Sequence, residues 1–101
     1  MDIEEITIKG MPLGAFNSFP YQTIETQLQT DDIVLLMTDG LAEQFNEQKE
    51  EFDYDRIKHV FLENSQQSPS DLVQQFFKAG EAWRKGHHQN DDITLIAIKQ
   101  K

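Results

Sequence analysis

In the segment Ile33-Val34-Leu35-Leu36-Met37-Thr38-Asp39-Gly40, an apolar run closes on a carboxylate and a glycine. Residues 90–98 (NDDITLIAI) show the reverse order, because the acidic pair Asp91-Asp92 comes before the apolar run. Successive apolar positions are typical of a strand buried on both faces, so each run is a predicted strand. One carboxylate, Asp39, therefore follows a predicted buried strand, and two others, Asp91 and Asp92, precede another.

Carboxylates at strand ends are candidate ligands for a hard cation. Mg²⁺ and Mn²⁺ prefer carboxylate and water oxygens, and strands hold ligands more rigidly than loops do. Such a site would serve phosphate-ester hydrolysis, in which paired metals activate water. The alternative is ordinary turn chemistry, since Asp-Gly after a strand and Asn-Asp-Asp before one are common in turns. Spacing alone leaves both interpretations open.

Composition excludes several classes of function. The chain has 101 residues, no cysteine, and nine basic against eighteen acidic residues for a net charge of −9. One domain is expected, without disulfides or thiolate metal sites, in the cytoplasm. Nucleic acid is not an expected partner, because phosphate backbones are bound by clustered Lys and Arg. Membrane insertion is not expected either, since no apolar stretch approaches roughly 20 residues and the N-terminus lacks a signal-peptide pattern.

Two further strands are predicted, over residues 3–9 and 21–28. Residues 10–14 contain Pro12 between two glycines and are excluded from regular structure. Residues 21–28 alternate in polarity, and a turn at 30–32 predicts a hairpin from them into the 33–38 strand. The final strand is predicted over residues 92–99.

Two helices are predicted between the apolar runs. Asp53 is the expected cap of a helix over 54–63. Ser68, Pro69 and Asp71 mark the start of the next helix, and Lys85-Gly86 marks its end. Its predicted buried stripe is Leu72, Val73, Phe76, Phe77 and Trp83. Three strands, two helices and one strand indicate an α+β fold, with both helices on one face of a largely antiparallel sheet.

Several other polar residues have a structural or solvated interpretation. Asp31 and Asp32 lie at the far end of the strand from Asp39, on the order of 20 Å away, which is too far to share a cation. His87 and His88 are adjacent in a polar loop and are interpreted as solvated, although imidazole suits transition metals. Glu43, just past Asp39-Gly40, could lie near the site, but a capping or solvated role is the expected one.

Four segments together resemble a known family. In order along the chain they are residues 10–14 (GMPLG), 32–43 (DIVLLMTDGLAE), 51–52 (EF) and 91–95 (DDITL). They are similar to the C-terminal half of bacterial metal-dependent serine/threonine phosphatases of the stage II sporulation protein E type. This is the bacterial branch of the protein phosphatase 2C-like superfamily, and the resemblance covers the chain from about residue 6 onward.

The resemblance implies an αββα sandwich with two Mn²⁺ or Mg²⁺ ions at one end in the complete domain. Its motifs place metal-ligand roles on Asp39 and Asp91, with Asp92 as a secondary candidate, and assign no other catalytic residue in this chain. It also implies direct attack of water on a phosphoserine or phosphothreonine. The implied substrate is a phosphorylated regulatory protein similar to an anti-sigma-factor antagonist.

The chain departs from the family in length. Family domains are about twice as long, roughly 200 residues, and their N-terminal half supplies a further metal aspartate. Residues 1–101 are therefore expected to be the C-terminal half of the domain, to bind metal weakly or not at all, and to be inactive alone. Self-association, or packing on the missing half, is expected through the uncovered sheet face.

Two other functions stay open from the sequence. One is a non-catalytic interaction or structural module on a degenerate phosphatase scaffold, because a fold does not establish an activity. The other is a small acidic cation-binding domain, which requires tight metal binding by this chain alone.

Overall fold

The two apolar runs pair with each other in the computed structural model, which describes residues 3–7 and 13–101. The elements are β1 (Ile33–Met37), α1 (Asp53–Glu63), α2 (Pro69–Arg84) and β2 (Leu95–Lys99). β1 and β2 are antiparallel, with Ile33 opposite Lys99 and Met37 opposite Leu95. Within the described residues these two strands form the whole sheet.

One face of the sheet packs on the helices. Alternate side chains of both strands contact a core of buried residues from the loop after β1 and from the two helices. The strand residues are Ile33, Leu35, Met37, Leu95 and Ala97, and the buried core residues are Leu41, Ala42, Phe52, Ile57, Leu72 and Phe76. The α+β arrangement with both helices on one face is therefore confirmed.

The opposite face of the sheet is uncovered within the described part of the chain. Its side chains Leu36, Ile96 and Ile98 expose 51%, 52% and 47% of their surface. The apolar run correctly predicts a strand, but burial of β1 on both faces and a central position in the sheet are not observed within the described residues. Leu36, Ile96 and Ile98, with the half-buried Val34, are called the outer face below.

The start and end signals of α2 act as predicted. Ser68 Oγ accepts a hydrogen bond of 3.2 Å from the Asp71 N–H, and Pro69 occupies the first turn. Lys85 ends the helix in the left-handed region at φ 50°, followed by Gly86 at φ 88°. Leu72 and Phe76 are fully buried, whereas Val73, Phe77 and Trp83 are half-buried.

The start of α1 differs slightly from the predicted cap. The helix begins at Asp53 itself, which has φ 68° and whose Oδ1 accepts a 2.7 Å hydrogen bond from the Tyr54 N–H. The Asp53 N–H donates to the Ala42 carbonyl at 2.8 Å. Asp53 is therefore both the first helical residue and the end of a short hairpin-like loop that follows β1.

The predicted hairpin from 21–28 into the β1 segment is wrong. Residues 21–28 form no strand, and the large side chains Tyr21, Ile24 and Leu28 are exposed by 51%, 48% and 37%. The turn before β1 does form, because Asp32 Oδ2 accepts the Gln29 N–H at 2.8 Å. Chain direction after the turn is set by β2, since the Asp31 N–H donates to the Gln100 carbonyl at 2.9 Å.

The predicted strand over 3–9 is not observed either. Residues 3–7 have no regular structure, and 8–9 lie outside the described residues, as do 10–12 of the predicted irregular segment. Alternating polarity produces a strand only where a neighbouring strand accepts its backbone hydrogen bonds. The final strand begins at Leu95 rather than at 92, because Thr94 bonds to the end of β1 outside the regular ladder.

Within residues 3–7 and 13–101, neither helix has the length and apolar character that crossing a membrane requires.

Substitution of a buried leucine in α2 tests the location of the core. Leu72 is 0% exposed and Leu62, in α1, is 44% exposed, so Leu→Ala changes helix propensity equally in the two variants. We expect Leu72→Ala to lower the free energy of unfolding by about 2–5 kcal/mol and Leu62→Ala by less than about 1 kcal/mol. Urea unfolding followed by circular dichroism measures both, and equal losses would contradict this core.

Candidate functional site

The antiparallel pairing brings the end of β1 beside the start of β2. The Thr38 N–H donates to the Thr94 carbonyl at 3.2 Å, and Thr38 Oγ1 accepts the Thr94 N–H at 3.3 Å. These bonds extend the strand contact to the turn that carries Asp39 and the turn that carries Asp91. The turns are called the Asp39 turn (residues 38–43) and the Asp91 turn (residues 89–94).

The two turns touch at Gly40. A Cβ atom at this position would lie 1.7 Å from the Asp92 carbonyl oxygen and 2.7 Å from its carbon. Glycine is required here by the close approach of two backbones, not by an unusual φ. The Asp-Gly sequence is thus more than a turn signal, because its glycine lets the acidic turns meet.

A buried glutamine crosses the same junction. Gln44 is 0% exposed, and its Nε2 donates to the Gly40 carbonyl at 2.8 Å and to the Asp91 carbonyl at 3.2 Å. Asn90 adds two bonds, since its Oδ1 accepts the Phe45 N–H at 3.1 Å and its Nδ2 donates to the Glu43 carbonyl at 2.9 Å.

The Asp39 carboxylate is exposed and has one short partner from α1. Tyr54 Oη donates to Asp39 Oδ1 at 2.8 Å. This hydrogen bond, followed by partial burial and by the charges of Asp39, Glu43 and Glu5, raises the pKa of Tyr54 to about 12. The phenol therefore stays protonated at neutral pH and remains a donor that fixes the orientation of the Asp39 carboxylate.

Glu43 belongs to the same electrostatic environment. Partial desolvation raises the pKa of the Glu43 carboxyl, and the negative charges of Asp39, Asp91 and Glu51 raise it further. A like charge disfavours the ionised form of a carboxyl group only when it is close. Asp39 and Glu43 belong to the Asp39 turn, and the contact of this turn with the Asp91 turn at Gly40 places Asp91 at the same corner of the molecule.

Asp91 and Asp92 have different local roles. Asp91 Oδ1 accepts the Asp92 N–H at 2.8 Å, which leaves the other carboxylate oxygen of Asp91 without a bond to the described part of the chain. Asp92 contributes its backbone carbonyl to the contact with Gly40. Both side chains are exposed to solvent.

The carboxylate oxygens at this corner are suitable ligands for a hard divalent cation, but they are too few to complete its coordination. Carboxylate oxygens suit Mg²⁺ and Mn²⁺. Among the residues described, however, no three acidic, histidine or cysteine side chains are grouped closely enough to hold a metal ion. Asp39 and Asp91 could therefore form only part of a coordination sphere.

The two other candidate groups are not part of the contact between the Asp39 and Asp91 turns. Asp31 and Asp32 lie at the opposite end of β1, where they form a turn. His87 and His88 are exposed and line an open surface depression with Phe45, Asn46, Glu47, Lys49 and Asn90.

The loop between the Asp39 turn and α1 is held by aromatic and cationic contacts. Trp83 Nε1 donates to the Gln44 carbonyl at 3.0 Å and to the Glu50 carbonyl at 3.1 Å. The Arg56 guanidinium lies 4.0 Å above the Trp83 ring, whose edge also meets Phe52 at a centroid distance of 5.9 Å. Residues of both helices thereby hold the loop that follows the Asp39 turn.

Comparison with known proteins places this site in a family. The model of the stage II sporulation protein E (SpoIIE) family matches residues 2–101. The chain belongs to that family, as its sequence motifs indicated.

A solved structure matches the fold. The protein is similar to the SiaA-PP2C domain of Pseudomonas aeruginosa with a TM-score of 0.74 and 24% identity, covering 80% of this chain. The fold is therefore that of a protein phosphatase 2C-like domain. The chain spans 34% of the length of the SiaA-PP2C chain. No curated protein sequence matches it significantly.

Sequence reasoning found the acidic residues but missed Gln44, Tyr54 and Asn90 as their neighbours. Asn90 and Gln44 are 46 residues apart, and no local pattern connects them. Gln44 lies between Glu43 and Phe45 in the sequence, so no local signal marked it as buried.

Substitution of Gly40 tests the contact between the turns. Gly40→Ala forces a Cβ atom into the Asp92 backbone, so we expect a loss of about 3 kcal/mol or more in the free energy of unfolding. Gly86→Ala is the matched control, because its Cβ meets nothing within 4 Å and only the φ of 88° is unfavourable. Its expected loss is about 1 kcal/mol. A Gly40→Ala variant as stable as Gly86→Ala would show that the two turns are farther apart than described.

Proposed function

We propose that this chain is the C-terminal part of a metal-dependent phosphoprotein phosphatase domain of bacterial signalling, acting on phosphoserine or phosphothreonine. The observation that carries the proposal is the meeting of the Asp39 and Asp91 turns, through Gly40, in a chain of the SpoIIE family. The residues proposed as metal ligands are Asp39 and Asp91, with Asp92 as a secondary one.

The charge at the corner supports metal dependence. Asp39, Glu43 and Asp91 create a negative field that by itself repels a phosphate ester. Mn²⁺ or Mg²⁺, two ions in the complete domain, would supply Lewis-acid stabilisation of the phosphoryl oxygens when bound. Within this chain, Tyr54 holds the Asp39 carboxylate by its hydrogen bond, and Asp92 N–H holds the Asp91 carboxylate.

The number of ligands supports a divided active site. Since the described residues provide no group of three ligands, we propose that the remaining ligands come from another part of a longer protein. The 34% coverage of the SiaA-PP2C chain is consistent with this. The 101-residue chain is then a weak metal binder at most, and inactive by itself.

Family membership and charge guide the proposed partner and location. We propose a phosphorylated regulatory protein resembling an anti-sigma-factor antagonist as the substrate, in the cytoplasm. The net charge of −9 gives no basis for a nucleic-acid partner. A non-catalytic module on the same scaffold is the alternative, and the scarcity of grouped ligands favours it if no longer protein supplies them.

Phosphatase assays on two lengths of protein test the function. Mn²⁺-dependent hydrolysis of a generic phosphate ester is measured for this chain, for the longer protein that contains it, and for that protein with Asp39→Ala. We expect activity in the longer protein, a loss of at least about 100-fold in Asp39→Ala, and none in this chain.

Asp55→Ala is the matched control, because Asp55 is an exposed first-turn residue of α1 and should leave activity unchanged. A longer protein that folds and binds Mn²⁺ but hydrolyses no phosphate ester would favour the non-catalytic module. Tight Mn²⁺ binding by the 101-residue chain alone would favour the small cation-binding domain.

The outer face supports a further proposal about partners: self-association of this chain. Leu36, Ile96 and Ile98 each expose about half of their surface on a two-stranded sheet, and contiguous apolar surface of this kind usually finds a partner. A second copy can cover the face or extend the sheet at an edge. In a longer protein the rest of the domain would occupy the same face.

Sedimentation velocity over a range of concentrations tests self-association. We expect the sedimentation coefficient of the wild-type chain to rise with concentration and that of Ile96→Glu to stay at the monomer value. Leu62→Glu is the control, since Leu62 is exposed to 44% on α1, away from the outer face. A monomeric wild-type chain at all concentrations would contradict the proposal.

A further inference from the structure

Gln44 and Ser65 are the buried polar residues among those described, and Gln44 has the larger side chain of the two. Gln44 is 0% exposed, as are its core neighbours Leu41, Leu72 and Phe76. Burying an amide costs free energy unless every polar atom finds a partner. Gln44 meets this condition, because both its Nε2 and its Oε1 atoms are hydrogen-bonded.

The bonds of Gln44 reach both acidic turns. Nε2 donates to the Gly40 carbonyl and to the Asp91 carbonyl, while Oε1 accepts the Asn90 N–H at 3.4 Å. Two carbonyl acceptors on one side and an N–H donor on the other define the orientation of the amide. Each acceptor lies within one residue of a proposed ligand, since Gly40 follows Asp39 and the other carbonyl belongs to Asp91 itself.

Asn90 bonds in the opposite direction across the same junction. Its side chain accepts from Phe45 and donates to Glu43, the two residues that flank Gln44. The pair therefore makes four hydrogen bonds between segments that are more than 40 residues apart, of which two involve the Gln44 side chain. The bond from Gln44 Nε2 to the Gly40 carbonyl is local. Van der Waals contact at Gly40 alone would not fix the relative rotation of the turns.

A neutral amide is well suited to connect two turns that both carry carboxylates. Asp39 and Asp91 carry like charges that favour separation of the turns whenever no cation lies between them. A neutral amide adds no charge to the corner while it supplies donors to the carbonyls behind the carboxylates.

We propose that Gln44 is a positioning residue that holds the Asp39 turn and the Asp91 turn in the fixed relation required for their carboxylates to act on the same metal centre. The metal part of this proposal rests on the proposed function, whereas the connection between the turns does not. Loss of residues that orient metal ligands from outside typically weakens metal binding by about 10–100-fold.

Amide hydrogen exchange in the metal-free chain tests the connection. In Gln44→Met, which keeps an unbranched side chain of similar size, we expect the Asn90 and Phe45 amides to exchange at least about 10-fold faster. Amides of Leu36 in β1, which lies in a hydrogen-bonded pair with Ile96 of β2, and of Phe76 in α2 should change much less, because the sheet and helix remain folded. Gln66→Met, an exposed substitution in the loop before α2, should change none of them.

A second variant covers the case in which Gln44→Met does not fold. Asn90→Ala changes an exposed side chain and breaks the junction from the other side. We expect the side-chain Nε2 protons of Gln44 to exchange faster in this variant. Unchanged exchange at Gln44 in Asn90→Ala, or a uniform acceleration of all amides in Gln44→Met, would overturn the positioning role.

Paramagnetic broadening by Mn²⁺ separates this proposal from the proposed function. If the wild-type protein binds Mn²⁺, resonances of the Asp39 and Asp91 turns should broaden with one midpoint. In Gln44→Met the midpoints should separate and rise by about 10–100-fold. Wild-type midpoints that already differ would overturn the shared centre. Absence of Mn²⁺ binding in this chain and in the longer protein would overturn the proposed function, and the exchange result would still decide the role of Gln44.

Discussion

Antiparallel pairing of β1 with β2 is the constraint on which the site depends. In an antiparallel pair the end of one strand lies beside the start of the other. Because Met37 pairs with Leu95, the residues just after β1 and just before β2 are forced into contact. The same register places the Asp39 turn beside the Asp91 turn. The acidic corner is therefore a consequence of strand register.

The helices support this arrangement through one aromatic residue. Trp83, near the end of α2, donates to carbonyls on both sides of the loop that follows the Asp39 turn. Its ring also packs against Phe52 and lies under Arg56 of α1. The loop is thus fixed to the core at its base while its acidic residues remain exposed. This division is typical of a site whose scaffold is rigid and whose reacting groups must meet solvent.

Hydrogen bonds hold the acidic Asp39 and Asp91 turns together against the repulsion of their like charges. Desolvation, and after it the negative charges of Asp39, Asp91 and Glu51, raise the pKa of Glu43, so Glu43 is repelled by its acidic neighbours. Neutral donors oppose the repulsion: the Tyr54 hydroxyl reaches the carboxylate of Asp39, and the Gln44 amide reaches the carbonyl of Asp91. The resulting corner is negative and organised before any cation arrives. In the proposed phosphatase domain, this preorganisation lowers the cost of forming a metal centre.

The sequence by itself determined the two helices, the start and end signals of α2, the two apolar strands and the residues that carry charge. These features depend on local chemistry, since the Ser68 hydroxyl and the Pro69 ring act on neighbours within a few residues. Four motifs in the right order also indicated the family, which the match over residues 2–101 confirms.

Only the tertiary structure decided which strands pair. Residues 21–28 alternate like a strand yet form none, because the backbone next to β1 bonds to the end of β2 instead. It also decided the roles of Gln44 and Tyr54, since their partners lie up to 47 and 15 residues away. Contacts across such separations depend on how the whole chain packs, and no local pattern records them.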